Sequence, residues 1–411
     1  MNITHIIGNG FDINQGIPTS YANFYEYYLQ LVPKDDDPEV VKAFRVKLYN
    51  NLLEHRTDLW SDMEIALGKV TEEYNSAEDY NTVYMDVYNH LMEYIDYAYR
   101  YSDVAKFDNP TKTLYQDLMK PWLHLTPSEI EDFDKLFVRI NDNRVRILSF
   151  NYTDTFNRIS DSGKLTEGGV LGLETSMTYH FDGCLHIHHD IKNRNIVLGV
   201  DNVDQIANKK LAADESVRDL LVKPQTNSNL GTTIDRQCRE VIAQSGIISI
   251  YGVSLGKTDQ TWWKEIGKRI KVDNNVRILY FTYEKEIKQL AEIQKHTLKR
   301  KRKRELMAAI GIDEKSYKDY ENRIYVNFCN NPGTRNIFNN PKKENLRDNF
   351  ENVMAVFQKE GKVAVPAPKR QNLSGLDSLL LQPPVERLFN PRHYRAKNPL
   401  IDVTKKPLEI E

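Results

Sequence analysis

The feature that most restricts this chain is a repeated one. A short apolar run stops at a polar turn rich in glycine or asparagine, and it does so several times. Residues 3–7 end at Gly8-Asn9-Gly10. Residues 145–150 end at Asn151-Tyr152-Thr153-Asp154, and residues 247–251 end at Gly252-Val253-Ser254-Leu255. Residues 185–188, 196–198, 276–281 and 324–328 are further short runs of the same kind. Each reads as a buried strand closed by a tight turn. Helical stretches such as 259–270 and 284–310 lie between them. Strands alternating with helices predict an α/β fold with a mainly parallel sheet. In such sheets, ligands bind beyond the carboxyl ends of the strands.

Between the first two predicted strands, residues 21–143 look helical throughout, punctuated by Pro33, Pro38, Pro110, Pro121 and Pro127. Val83, Val87, Leu91, Tyr94 and Ile95 have helical spacing, and Thr19 or Ser20 is placed to cap the first helix. This exceeds the one helix that a crossover needs, so the stretch reads as a large helical insertion. Many of the 23 tyrosines crowd between Tyr21 and Tyr115. Amphipathic helices that pack their rings and leave the hydroxyls at the solvent edge account for them. Aromatic platforms for bases are the rival reading.

The last segment, 361–411, holds seven of the sixteen prolines, with Leu379-Leu380-Leu381 and Leu388-Phe389 as isolated apolar clusters. It predicts an extended tail that docks these residues on the body or on a partner. The expected organisation is an α/β domain over 1–340, interrupted at about 21–143, followed by a tail over 341–411.

A chain of 411 residues can bury a large core without disulfides or a structural metal. Its 56 basic and 58 acidic residues give a net charge of −2, so no global field draws it to nucleic acid or an anionic membrane. Cys184, Cys238 and Cys329 are too few and too scattered for a disulfide framework or a zinc site, and they suit a reducing cytoplasm. No leader peptide is expected at the start, and no run approaches the ~18 apolar residues of a membrane span.

Four polar clusters at predicted strand ends carry the candidate chemistry. Gly8-Asn9-Gly10-Phe11-Asp12 with Gly16-Ile17-Pro18-Thr19 is either a phosphate loop or a plain strand-to-helix turn. Ile13 stands where a dinucleotide fingerprint needs its third glycine, and no Gly-Lys-Ser/Thr of a P-loop follows. Asn151 either caps the next helix or presents its amide to a ligand. In His186-Ile187-His188-His189-Asp190, strand alternation puts His186 and His188 on one face and turns His189 away. These histidines read as structural, as metal ligands, or as supplying a general base. Tyr251 to Asp259 repeats the strand–glycine–helix pattern, with Thr258 or Asp259 as cap. Four such ends on one sheet edge describe a nucleotide-sized cleft.

Two features stand apart. Trp60 and Glu64 share a helix face, as packing with a surface carboxylate or as a contribution to the cleft. Six consecutive cations, Lys299 to Arg304, form either a nucleic-acid patch or a solvated, acid-paired helix.

Five blocks in order resemble the bacteriophage abortive-infection AbiH family. They are Ile-Ile-Gly-Asn-Gly-Phe-Asp with Gly-Ile-Pro-Thr-Ser-Tyr, Trp-Ser-Asp-Met-Glu at 60–64, Ser-Phe-Asn-Tyr-Thr-Asp-Thr-Phe at 149–156, His-Ile-His at 186–188 with Ile-Val-Leu-Gly at 196–199, and Tyr-Gly-Val-Ser-Leu-Gly-Lys-Thr-Asp at 251–259. The blocks span residues 1 to about 282. A more distant similarity is to the sirtuin-like fold, a sheet of Rossmann type, whose anti-phage members hydrolyse NAD.

That resemblance implies that Asn151 and His188 are catalytic. It implies that Gly8, Gly10 and Thr19 contact the dinucleotide phosphates and that Gly252 and Ser254 line the adenosine side. Asn9, Phe11, Asp12 and Asp259 complete the expected binding set. This chain departs from the sirtuin pattern in its acid, Asp154, three residues after Asn151 rather than two, in His189 where glycine is usual, and in Asn9 and Asp12.

The expectation is therefore an anti-phage effector that hydrolyses NAD with no added cofactor and no metal. A phage-derived activator and a homo-oligomer are the partners in view, and neither nucleic acid nor membrane is expected. The rival readings are a sensor that binds NAD or ADP-ribose without turnover, and an effector directed at nucleic acid through residues 299–304.

Overall fold

The computed structural model describes residues 1–53, 63–137, 142–160, 168–174, 177–331, 336–342 and 345–364. Trp60, the Leu379–Leu381 cluster and Leu388-Phe389 lie outside these residues.

Seven strands form one sheet: β1 (Asn2–Ile7), β2 (Asp142–Ser149), β3 (Gly169–Glu174), β4 (Met177–His186), β5 (Ile247–Tyr251), β6 (Arg277–Thr282) and β7 (Ile324–Phe328). Their order is β3-β4-β2-β1-β5-β6-β7. All neighbours pair in parallel except β3, which runs antiparallel to β4 at one edge. Counted in chain order, the six parallel strands therefore run 3-2-1-4-5-6 across the sheet. The order reverses at β1, which lies between β2 and β5.

The helices are α1 (Asn9–Asn14), α2 (Tyr21–Tyr28), α3 (Glu39–Leu53), α4 (Met63–Val70), α5 (Ala77–Tyr101), α6 (Leu114–Met119), α7 (Pro127–Phe137), α8 (Thr155–Ile159), α9 (Lys209–Ala213), α10 (Glu215–Leu221), α11 (Lys223–Asn229), α12 (Ile234–Gln244), α13 (Gln260–Val272), α14 (Glu292–Ala309), α15 (Tyr317–Tyr320) and α16 (Leu346–Lys359). No helix among the described residues is long and apolar enough to cross a membrane.

Strands covered on both faces read as near-continuous apolar runs, and β5 (Ile-Ile-Ser-Ile-Tyr) is buried at every position. On one face, Ile3, Ile7, Val145, Ile147 and Ile247 pack against Leu114, Leu118, Trp122 and Phe133 from α6, α7 and the turn joining them. On the other, Ile6, Leu148, Ile248, Ile250 and Ile278 pack against α12, α13 and α14. A third core lies among α2, α3, α5, α10 and α16. α5 shows why: Tyr80, Val83, Tyr84, Val87, Leu91, Tyr94, Ile95 and Ala98 recur on one buried stripe, and Ser76 caps the start by accepting from the Asp79 amide (3.1 Å).

From Tyr21 to Phe137 the described chain carries helices and no strand of the sheet. The tyrosines there do pack, and while Tyr97 keeps its hydroxyl at the solvent edge, others bury theirs. Tyr84 donates to the Leu198 carbonyl (2.8 Å), Tyr94 to Pro18 (2.6 Å) and Tyr80 to Leu67 (3.2 Å), all buried.

Those hydroxyls also correct the expected strand at 196–198. The Ile196, Val197 and Leu198 carbonyls accept from Tyr88, Tyr152 and Tyr84, so no neighbouring strand is needed to satisfy them. The strand expected at 185–188 begins earlier, at Met177, and stops at His186. The chain then turns, with His189 at φ 59°, so strand alternation does not govern His188 or His189. The cationic run lies on α14, where Arg302 pairs with Glu284 (2.7 Å) and Glu305 (2.8 Å) while Arg300, Lys301 and Arg304 are exposed.

Candidate functional site

The ends of β1, β2 and β5 and the turn after β4 open into one cavity of about 930 Å³, roofed by α2, α3, α4 and α5. Of the sequence-predicted residues, Gly8, Asn9, Gly10, Asp12, Thr19, Asn151, His188, Gly252, Ser254 and Asp259 all line it. Glu64, from α4, lines it too. Phe11 does not. Its ring is wholly buried and stacks on Phe156 (4.3 Å between centroids), which makes it a core residue.

The glycines have a local reason that involves no ligand. The Gly8 amide donates to the Tyr251 carbonyl (3.0 Å) and the Gly10 amide to Gly252 (2.8 Å). A Cβ on Gly10 would sit 2.6 Å from the Gly252 Cα, and one on Gly252, at φ +66°, would sit 2.7 Å from the Phe11 nitrogen. The loops after β1 and β5 thus press backbone to backbone, which side chains would prevent.

Asp12 is the hub beneath Asn151. Its Oδ1 accepts from Asn151 Nδ2 (3.1 Å) and Thr155 Oγ1 (2.6 Å), and its Oδ2 accepts from Thr153 Oγ1. Burial pushes the Asp12 carboxyl up to about 6, against the pull of these hydrogen bonds. The acid near Asn151 therefore comes from the first loop. Asp154, the nearest acid in sequence, instead pairs with Lys192 and accepts from Asn157 (2.6 Å). The Asn151 carbonyl is paired with His186 Nδ1 (2.9 Å), so His186 supports the β2 end. With its Nδ2 on Asp12, Asn151 leaves Oδ1 buried and without a partner.

His188 is 4% exposed and held by an aromatic ring and a carboxylate. The Phe150 ring meets it edge-on (5.3 Å), and Phe150 in turn stacks on Trp263 (5.6 Å). Its Nε2 is 2.9 Å from Asp259 Oδ1. That oxygen also accepts from Lys223 Nζ (2.9 Å), and Lys223 donates again to Glu64 Oε2 (2.8 Å). Burial works to raise Asp259, but the Lys223 ammonium and the His188 imidazole outweigh it and hold this carboxyl well below its usual range. An ionised Asp259 requires the proton of a neutral imidazole to sit on Nε2. Burial, with Lys223 adding to it, pushes His188 down, so the neutral ring is the form present near neutral pH. His188 Nδ1 is then a bare acceptor, and it too is buried without a partner.

Burial pushes Glu64 up to about 7, opposed by Lys223 and reinforced by Asp259. No lysine or arginine lines the cavity among the described residues, whereas Asp12, Glu64 and Asp259 do. Among the same residues no group of three His, Cys, Asp or Glu side chains is placed to hold a metal. His189 points elsewhere, its Nε2 3.1 Å from Asn227 Oδ1.

The sequence pattern of bacteriophage abortive infection AbiH proteins matches residues 4–283, more than half of the 411. The chain belongs to the AbiH family. No curated protein matches it. Every cavity residue named above lies inside the matched span of this AbiH protein, from Gly8 to Asp259.

Sequence reasoning missed Lys223. It follows the apolar run Leu220-Leu221-Val222 and precedes Pro224 at the start of α11. A lysine directly after such a run was the available signal, and nothing in its sequence neighbourhood points to Glu64 or Asp259.

Proposed function

We propose that this AbiH protein acts in abortive infection by hydrolysing NAD to nicotinamide and ADP-ribose. The observation that carries the reading is the pair of unpartnered buried atoms, Asn151 Oδ1 and His188 Nδ1, in the wall of one cavity. Buried polar atoms are ordinarily paired, so two orphans in one wall argue for a ligand that supplies their partners. The strand order supports a dinucleotide as that ligand. An order of 3-2-1-4-5-6 is that of doubly wound, Rossmann-type sheets, which bind dinucleotides where the order reverses. The sirtuin-like resemblance points the same way. A cavity of about 930 Å³ falls within the usual size of small-molecule sites.

The chemistry follows from the residues. Cleavage breaks the bond between ribose C1′ and the nicotinamide nitrogen. The bonding pair leaves with the ring, cancels its positive charge and leaves a cation on the ribose. Asp259 and Glu64 share the one ammonium of Lys223, so when both are ionised the cluster keeps a net charge of −1, which favours the ring cation first and the ribosyl cation next. Asn151 Oδ1 accepts a hydrogen bond from a ribose hydroxyl or from the attacking water and so fixes its position. The water oxygen bonds to C1′, and its proton passes to His188 Nδ1. The pyrophosphate meets neutral donors, the Asn9 and Ser254 side chains among them.

The test is release of free nicotinamide from NAD by the purified protein, with phage protection in cells beside it. Asn151→Ala and His188→Ala are each expected to abolish both while the fold persists, and His189→Ala to keep most activity. Full turnover in both cavity mutants would refute the catalytic assignment. Tight binding with intact NAD recovered from every variant would favour the sensor.

A further inference from the structure

A buried ammonium needs a reason. Lys223 is 5% exposed at the start of α11. Its own amide donates to the Val200 carbonyl (2.9 Å), which locks the backbone there. Its Nζ then bridges two carboxylates, Glu64 on α4 (2.8 Å) and Asp259 before α13 (2.9 Å). The Asp259 oxygen it reaches is the one that faces His188 Nε2. Four segments distant in sequence thus meet in one chain of hydrogen bonds that ends on a cavity imidazole.

The surroundings of that chain are closed. The charged or titratable groups facing His188 are Asp259, Lys223 and His189. Those facing Glu64 are Lys223, Asp259 and the Tyr84 hydroxyl, with the Thr258 hydroxyl bonded to it, and the Tyr21 and Tyr152 hydroxyls face both carboxylates. Without Lys223, Asp259 would have one cationic partner to recruit, a doubly protonated His188. Such an imidazolium has no lone pair on either nitrogen and cannot act as a base.

We infer that Lys223 is a positioning residue for His188: anchored by Glu64, its ammonium occupies the Asp259 carboxylate, so that His188 carries one proton, on Nε2, and keeps Nδ1 as an acceptor. The inference rests on the proposed role of His188, but the state of the ring can be read without turnover. Burial and Lys223 together lower the imidazole's basicity, in the sense the inference requires. Because Glu64 belongs to α4, the helical stretch between β1 and β2 contributes to setting the base at the end of the sheet.

The experiment is ¹⁵N NMR of the His188 ring in the full chain, beside NAD cleavage as a function of pH. In the wild type the ring is expected neutral, with Nε2 protonated, across the neutral range. In Lys223→Met the ring is expected to hold two protons at neutral pH, with its midpoint raised by about one to three units, the usual effect of a charge at this distance. The acid limb of NAD cleavage should move up by the same amount, and raising the pH should restore activity. Lys223→Arg, which keeps the cation, should restore the neutral ring. A purely structural lysine would lower activity at every pH and leave the midpoint in place. Should Lys223→Met not fold, the double variant Lys223→Met/Glu64→Gln removes the stranded carboxylate along with the ammonium and predicts the same raised midpoint. An unchanged midpoint, or a wild-type ring with its proton on Nδ1, overturns the inference. A ring that behaves as stated in a protein that leaves NAD intact sinks the proposed activity and leaves the inference standing.

Discussion

Replacing Asp12 by asparagine removes a charge and almost no volume, so its effect on stability is an electrostatic measurement. Asn151, Thr153 and Thr155 donate to this carboxylate in the fold, with the Thr19 hydroxyl at 3.5 Å, yet burial still pushes it up to about 6 from its ordinary 3.8. The sign follows by linkage. The folded protein holds the Asp12 proton more tightly than the unfolded chain does, so stability is greatest below the unfolded value and is lost as pH rises through the folded one. A shift of about two units corresponds to roughly 3 kcal/mol at full ionisation, at about 1.4 kcal/mol per unit. Between about pH 4.5 and about pH 7.5, where part of the loss has already occurred at the lower end, the remaining change is about 2 kcal/mol. Asparagine cannot ionise, so Asp12→Asn should lose about 2 kcal/mol less than the wild type across that interval. The groups shared by both proteins, Glu64 among them, cancel in the difference. Urea unfolding of both proteins at the two pH values reads it directly. At either pH the mutant also turns an amide hydrogen toward a donor, Asn151, Thr153 or Thr155, at a cost of about 1–3 kcal/mol. A double difference near zero, or a wild type that gains on the mutant as pH rises, would refute the account of Asp12 as a buried acid that pays for holding Asn151.

Gly10→Ala should destabilise by about 1–3 kcal/mol, since the new methyl would sit 2.6 Å from the Gly252 Cα and the loops after β1 and β5 would have to part. Thermal unfolding checks this, and an unchanged midpoint would mean that the loops separate without penalty. If the proposed reading holds, Asn151→Ala leaves the dinucleotide intact, and on that background calorimetry should find the oxidised form bound about ten-fold more tightly than the reduced one, on the order of 1.4 kcal/mol, because only the oxidised ring is a cation that the Glu64–Lys223–Asp259 cluster would favour. Glu64→Gln should narrow that ratio, and equal binding of the two forms would remove charge selection from this wall.

The local pattern carried much of the architecture. Strands covered on both faces are mostly apolar where they are buried, so the apolar stretches of β1, β2, β5, β6 and β7 are visible as short runs ended by turns. The helical stretch after β1 is visible for a similar reason, because α5 repeats its buried residues every three or four positions. Strand ends of a parallel sheet lie at one edge, so a sequence reading could gather Gly8, Asn151, His188 and Gly252 around one cavity.

What the sequence could not determine depends on contacts between distant segments. Whether an apolar run becomes a strand depends on what satisfies its carbonyls, and at 196–198 three tyrosine hydroxyls do so. Phe11 and Asp12 are adjacent in the first loop, yet one faces the core and the other the cavity, because a helix turn at α1 separates their directions. The partner of Asn151 is an acid 139 residues earlier, and the lysine that completes the His188 chain is 159 residues from Glu64. Charge–charge interaction depends on distance and burial, neither of which is written along the chain. The residue types at the site were therefore legible one by one, while their protonation and their partners were decided only when the sheet and the helices above it closed on each other.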